Sequence, residues 1–232
     1  MRIALLVIAT NKYIQFTHPL WESVQKYFLK GHDVDMFVFT NRDDIPEGTK
    51  KIFQEHHPFP YPTLMRYHIF TKNIENYRDY DAHFYCDADM LFLDHVGDEV
   101  LKDTVVTLHP GYYAKTRPEF TYETRPTSTA YVAPNQGSYY FAGGFNGGFK
   151  YLEVAEKITK MIDKDAEKGI VAVWHDESYL NRYFIDNKPS LILDPSYCYP
   201  DIANPARAVE WRLTQFKPKL IALDKNHKEI RS

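Results

Sequence analysis

Two apolar runs separated by a helix-period segment set the first constraint on this chain. Arg2-Ile3-Ala4-Leu5-Leu6-Val7-Ile8-Ala9 is almost continuously apolar and stops at Thr10-Asn11, the pattern of a parallel strand covered on both faces. Leu20, Val24, Tyr27 and Phe28 then recur at helical spacing, Gly31 closes the segment, and a second strand is expected from Val34 to Thr40. Strand, crossover helix and strand make a βαβ unit. Polar residues from Asn41 to Lys50 read as a loop, a third strand is expected near Ile52 to His56, and Pro58, Pro60 and Pro62 punctuate the stretch after it. A helix from about Leu64 to Asn76 completes the alternation. The fold class is therefore α/β, with a Rossmann-like sheet that binds ligands at the carboxyl ends of its strands. No Gly-x-Gly-x-x-Gly follows the first strand, which argues against a dinucleotide.

The next strand, Tyr80 to Tyr85, runs into Cys86-Asp87-Ala88-Asp89-Met90, and apolar sequence resumes at Leu91-Phe92-Leu93. An isolated Asp-x-Asp is most often a solvated turn. Here the pair is embedded in hydrophobic sequence, where an uncompensated charge is costly. Side chains at i and i+2 lean the same way, so a turn at the strand end lets both carboxylates converge on one hard cation. A metal with a diphosphate is the chemistry this suggests.

Beyond Asp89 the chain changes character. Val105 to His109, Tyr131 to Ala133, Tyr139 to Phe141 and Phe145 to Lys150 are short strand candidates, implying an antiparallel part. An amphipathic helix follows from about Leu152 to Glu167, with Leu152, Ala155, Ile158 and Ile162 on one face and Gly169 ending it. Another runs from about Asp176 to Ile185 and stops before Pro189. A formal charge of −3 disfavours nucleic acid as a partner, so an anionic ligand must be held locally. Cys86 and Cys198 are the only cysteines, too few for a disulfide framework or a metal finger. No stretch of about 18 apolar residues occurs and no leader is evident, so a soluble, cytoplasmic protein without a transmembrane anchor is expected.

Three further segments carry chemistry. Ala172-Val173-Trp174-His175-Asp176-Glu177-Ser178 sets an aromatic, a histidine and two acids at a helix mouth; capping alone, with Asp176 as N-cap, would also account for the acids. Phe141-Ala142-Gly143-Gly144-Phe145-Asn146-Gly147-Gly148 concentrates four of ten glycines, serving either close ligand approach or a strained turn between two strands. Lys225-Asn226-His227-Lys228-Glu229-Ile230-Arg231 is a basic tail that could fold over a diphosphate.

Together these pieces resemble glycosyltransferase family 6 over almost the whole chain. The matching stretches are Phe84 to Val96 with Gly97, His109-Pro110-Gly111, Phe120-Thr121-Tyr122-Glu123 with Arg125-Pro126, the glycine run, Ala172 to Ser178, Leu180-Asn181, and Lys225-Asn226-His227 with Arg231. The resemblance implies a glycosyltransferase A type fold in one domain. Residues 1–94 would mainly bind the nucleotide sugar, 95–212 the acceptor and catalytic groups, and 213–232 would form a lid.

It also implies a site. Ile8, Ala9 and Tyr13 match the positions that hold uracil, although Ile8 stands where relatives have an aromatic residue. Arg66 matches an arginine near the donor, and Asp87 and Asp89 match the pair that binds Mn²⁺ (or Mg²⁺) and donor. His109, Thr121 and Trp174 match acceptor contacts, Asp176 a donor-sugar contact, and Glu177 the catalytic carboxylate. Lys225 and Arg231 match a tail that orders over the diphosphate. Small residues at Ala142 and Gly144, flanking Gly143, imply UDP-N-acetylgalactosamine (UDP-GalNAc) as donor, with UDP-galactose (UDP-Gal) the alternative. The implied acceptor is an oligosaccharide with terminal β-galactose, linked at its 3-hydroxyl with retention. Two other readings of the residues stand beside this one: a metal-dependent phosphohydrolase, whose nucleophilic aspartate would sit on the first strand, and a non-enzymatic carbohydrate-binding module.

Overall fold

The computed structural model describes residues 1–201 and 211–230. The chain runs β1 (Arg2–Ile8), α1 (Thr17–Tyr27), β2 (Asp33–Thr40), β3 (Lys50–Phe53), α2 (Tyr61–Leu64), α3 (Arg66–Lys72), β4 (Ala82–Cys86), β5 (Met90–Phe92), β6 (Val105–Leu108) and β7 (Phe141–Gly148). It continues through α4 (Tyr151–Ala166), α5 (His175–Asp186), β8 (Leu191–Leu193), β9 (Tyr199–Pro200), β10 (Leu220–Ala222) and α6 (His227–Ile230).

A seven-stranded sheet has the order β3-β2-β1-β4-β7-β6-β8. β3, β2, β1 and β4 are mutually parallel, β7 runs antiparallel to both β4 and β6, and β8 is parallel to β6. The apolar first strand explains the layering. Ile3, Leu5 and Val7 enter one core with α1, while Ala4 and Leu6 enter the other with α3, α4 and α5. Each face of β1 is buried, as near-continuous apolarity requires. β1 connects onward to β2 on one side and β4 lies on the other, so a crevice opens at their carboxyl ends. A smaller sheet, β5-β10-β9, sits beside it.

Three sequence expectations change. The helix expected from Leu64 to Asn76 is interrupted at Met65 (φ −96°, ψ 10°) and finishes in a 3₁₀ turn over Ile74–Asn76. Tyr131 to Ala133 forms only an isolated bridge from Tyr131 to Glu123. The glycine run is no turn: it is the interior of one buried strand, β7, and Gly148 (φ 121°) alone within it has a left-handed backbone. Packing gives the reason, since a Cβ on Gly147 would lie 2.3 Å from Phe84 Cδ1 and 2.6 Å from the His83 carbonyl oxygen of β4. The glycines let aromatic rings fill the space instead, with Phe84 stacked on Phe145 at 6.0 Å and 12°. Among the described residues, no helix is long and apolar enough to cross a membrane.

Candidate active site

The crevice at the ends of β1 and β4 is lined by Ile8, Thr10, Tyr13, Arg66, Asp87, Asp89 and Lys225. β4 ends at Cys86, and the chain turns sharply, the Met90 N–H donating to the Asp87 carbonyl at 3.2 Å. Asp89 is buried at 7% exposure, whereas the Asp87 side chain is 36% exposed. Ala9 lies between the crevice residues Ile8 and Thr10, its side chain fully buried in the core and its N–H donating to Phe39 O at 2.9 Å.

Arg66 organises the acidic wall. At 4% exposure it stacks over Tyr85 (4.0 Å to the ring centre), donates from Nη1 to Gly143 O at 2.6 Å, and pairs with Asp87 Oδ1 at 3.1 Å and Asp176 Oδ2 at 2.9 Å. Burial acts to depress the guanidinium pKa, but Asp176, Tyr85 and Asp87 together hold it above its ordinary value. The Tyr85 hydroxyl donates to the same Asp87 oxygen.

Helix α5 brings the second pair of acids. It begins at His175, which takes a left-handed φ of 50°, and its N-terminal N–H groups are met from within: Ser178 Oγ accepts from Trp174 N at 3.0 Å. Asp176 caps nothing. Its carboxylate turns inward to Arg66, so the capping explanation fails for this residue. Asn181, one turn beyond Glu177, clasps both backbone groups of Phe141 (2.8 and 2.9 Å), which docks α5 on the start of β7. Glu177 Oε2 thereby accepts from Gly143 N at 2.9 Å. Burial pushes both acids up to about 7, with Arg66 opposing the rise at each. A second hollow joins Arg66, Asp87, Gly143, Gly144, Asp176 and Glu177, so strand turn, glycine strand and helix mouth converge. A Cβ at Gly144 would meet Asp87 Oδ2 and Met90 Sδ at 3.2 Å; Ala142 is buried behind, at 2% exposure.

Trp174 stands beside this hollow, 47% exposed. Thr121 is exposed, its hydroxyl 2.6 Å from that of Tyr112. His109 caps the 3₁₀ turn Pro110–Tyr112, Nδ1 accepting from Gly111 N at 3.0 Å, and burial holds its pKa down at about 4. A neutral His109 keeps that lone pair available.

Lys225 is ion-paired with Asp89 and lies 5.2 Å from the Tyr13 ring centre. The expectation for Arg231 lies outside the described residues. Among the described residues no cluster of three or more His, Cys, Asp or Glu could hold a metal. Two carboxylates lining one crevice, those of Asp87 and Asp89, nevertheless fit a hard divalent cation that takes its other ligands from phosphate oxygens and water, which is the usual habit of Mg²⁺-like ions. The ammonium of Lys225 on Asp89 shows that this turn accepts a cation.

Several lining residues escape a reading of the sequence. Thr10 Oγ1 lies 3.0 Å from His56 Nδ1, and His56, His57 and Phe59 also line the crevice. Their one sequence signal is an aromatic and histidine cluster among prolines. Glu123, 2% exposed, binds the Arg125 guanidinium and accepts from Val173 N at 3.0 Å, fixing the segment that carries Trp174. Arg125 and these N–H groups hold its carboxyl down at about 2 against the effect of burial.

Residues 1–232 match the model of the family described as glycosyltransferase family 6. Histo-blood group ABO system transferase 1 of Rattus norvegicus is 34% identical over 243 aligned residues, covering 99% of this chain and 68% of that protein. Globoside alpha-1,3-N-acetylgalactosaminyltransferase 1 is 36% identical over 214 residues in Canis lupus familiaris (87% of this chain, 62% of that protein). The counterpart in Homo sapiens is 34% identical over the same length and shares. The phosphohydrolase and binding-module readings give way to this match. With its mixed α/β sheet of glycosyltransferase A type and a full-length family match, this chain belongs to glycosyltransferase family 6 and is a glycosyltransferase.

Proposed function

We propose that this enzyme transfers N-acetylgalactosamine, with galactose as the second donor, from its UDP-sugar to the 3-hydroxyl of a terminal β-galactoside, forming an α1,3 linkage with retention. The globoside relatives, named as alpha-1,3-N-acetylgalactosaminyltransferases, support the linkage and the sugar. The carrying observation is that Gly143 touches both halves of the chemistry, its carbonyl on Arg66 and its N–H on Glu177.

Uridine lies in this reading between Ile8 and Tyr13, and the diphosphate against Asp87, Asp89 and Lys225. Mn²⁺ or Mg²⁺ held by the two aspartates supplies charge neutralisation for the leaving diphosphate. Arg66 contributes differently from a direct phosphate contact: both its Nη atoms are already engaged, so it holds Asp87 and Asp176 in place. Lys225 exchanges Asp89 for phosphate oxygens when donor arrives, and the tail, with Arg231, covers the diphosphate and excludes water. Glu177, its Oε2 fixed by Gly143, faces the anomeric carbon and stabilises positive charge there, either by covalent capture or within an ion pair. Asp176 contacts the donor sugar, and His109, Thr121 and Trp174 flank the acceptor. The small pair Ala142 and Gly144 leaves room for an acetamido group.

Incubation with UDP-GalNAc and UDP-Gal, with and without Mn²⁺ and with a β-galactoside, tests this through UDP release and the linkage formed. Release that is metal-dependent, fastest from UDP-GalNAc and raised by acceptor is expected. No UDP release from either donor would end the reading.

A further inference from the structure

Thr10 follows the end of β1 and stands at the N-terminal position of the 3₁₀ turn Asn11–Phe16. A threonine in such a place ordinarily accepts from a backbone N–H of the turn, yet this one makes no cap. Its Oγ1 lies instead 3.0 Å from His56 Nδ1. Thr10 is 5% exposed, and among the described residues its hydroxyl has no other partner. A buried hydroxyl hydrogen needs an acceptor, so the bond runs from Thr10 Oγ1 to His56 Nδ1. That direction fixes the tautomer: Nδ1 accepts, Nε2 carries the proton, and the ring cannot turn without breaking the bond. The approach of His56 is set by the sheet. Gln54 N donates to Thr40 O at 3.1 Å, which keeps the chain paired to the end of β2 just before it reaches His56.

His56 is half-buried and lines the same crevice as Ile8 and Tyr13. Several polar neighbours in that lining are already engaged: Thr63 donates to Pro60 O at 2.8 Å, Arg66 and the Tyr85 hydroxyl hold Asp87, and Lys225 pairs with Asp89. His56 Nε2 has no protein partner among the described residues. An oriented, unpartnered N–H on the wall of a ligand crevice is the kind of polar group that fixes which ligand fits.

We propose that His56, held by Thr10, reads the donor's pyrimidine ring by donating from Nε2 to the 4-keto oxygen of uracil. This rests on the reading that seats uridine between Ile8 and Tyr13, and adds to it the group that tells one pyrimidine from another. Thr10 falls between those two residues in the chain, so it brings His56 to the base, while Asp87, Asp89 and Lys225 serve the diphosphate. Cytosine carries an amino group where uracil has the keto oxygen. Two donors would then face each other, and each would lose its partner. Protonating the ring leaves Nε2 a donor, with Nδ1 then donating to Thr10. Thr10 is a positioning residue, acting through His56.

Calorimetry on the full chain in Mn²⁺, with UDP and CDP as the two ligands, tests this. His56→Phe keeps a ring and removes both nitrogens. UDP should bind about tenfold more weakly and CDP no more weakly than to wild type, so that the preference for UDP falls about tenfold. Thr10→Val should lower the same preference by about threefold or more. Thr10→Ser should restore it, and Thr10→Val added to His56→Phe should change nothing further. Equal weakening of UDP and CDP by His56→Phe would overturn the proposal by moving the contact to ribose or phosphate. Unchanged UDP affinity would overturn it outright, and either result leaves the glycosyltransferase reading intact. Should His56→Phe not fold, the Thr10→Val and Thr10→Ser pair reads the same ratio, and an unaltered ratio there would count against the proposal. A wild-type protein that binds neither nucleotide in Mn²⁺ would defeat the underlying reading first, and this inference with it.

Discussion

Arg66 Nη1 stands 2.9 Å from Asp176 Oδ2, with each side chain only 5% exposed. The pair joins α3 to the mouth of α5 on one face of the sheet, and Arg66 also holds Asp87 at 3.1 Å. Removing one partner strands a buried charge. Arg66→Met should therefore destabilise the protein by about 3–5 kcal/mol in urea unfolding. Asp176→Asn should cost less, and adding it to Arg66→Met should recover part of the loss. A loss under about 1 kcal/mol would mean that the pair is screened like a surface bridge.

Glu177 is fixed by a backbone N–H rather than by a charged partner. Glu177→Gln keeps the shape and an acceptor oxygen for Gly143 but loses the anion. Its kcat should fall by at least about a hundredfold, with UDP affinity in Mn²⁺ close to wild type by calorimetry. Equal kcat values would remove Glu177 from the reaction.

Asp89 is the more buried of the two aspartates and holds Lys225. Asp89→Asn should abolish the enhancement of UDP binding by Mn²⁺, measured with and without chelator, while far-ultraviolet circular dichroism stays unchanged. Retained metal-dependent binding would assign the cation elsewhere.

Two glycines three positions apart in β7 should respond differently to alanine. Gly147→Ala drives a methyl to 2.3 Å from Phe84 Cδ1 and should destabilise the fold by about 1–3 kcal/mol, read by thermal melting. At Gly144 the nearest atoms stand at 3.2 Å, so the fold can adjust. The room beside Asp87 shrinks instead, and Gly144→Ala should shift the kcat/KM ratio toward UDP-Gal by about tenfold or more. An unchanged ratio would place the acetamido pocket elsewhere.

His109 sets a pH dependence whose sign is given by its depressed pKa. The native ring stays neutral down to about 4, whereas an unfolded histidine binds its proton near 6.5. Between these values the unfolded state holds more protons, so this contribution is complete above about pH 6.5 and is lost as pH falls toward 4. The raised acids Asp176 and Glu177 act oppositely, losing stability as pH rises toward 7. Urea unfolding at pH 5 and pH 7.5 should show a smaller acid loss for His109→Gln than for wild type. Identical losses would contradict the assignment.

Periodicity alone is enough for β1, α1, β2, α4 and α5, because each carries its own apolar stripe or run. The acidic turn is legible for the same reason: two charges inside hydrophobic sequence demand a partner. The glycine strand is not, because its glycines answer to Phe84 and His83 on a neighbouring strand, and no local pattern reports that. Arg66 comes into view through family resemblance alone. A single arginine opening a short helix gives no hint that it reaches both Asp87 and Asp176.

The small sheet has a consequence for how the tail can vary. β10 pairs with β5 as Leu220 with Phe92, Ile221 with Leu91 and Ala222 with Met90, and Leu223 N then donates to Asp89 O at 2.8 Å. The ladder acts as a ruler whose zero mark is the acidic turn itself, and Lys225 falls three residues past its last rung. Inserting or deleting one residue between Ala222 and Lys225 would carry the ammonium out of step with the carboxylates.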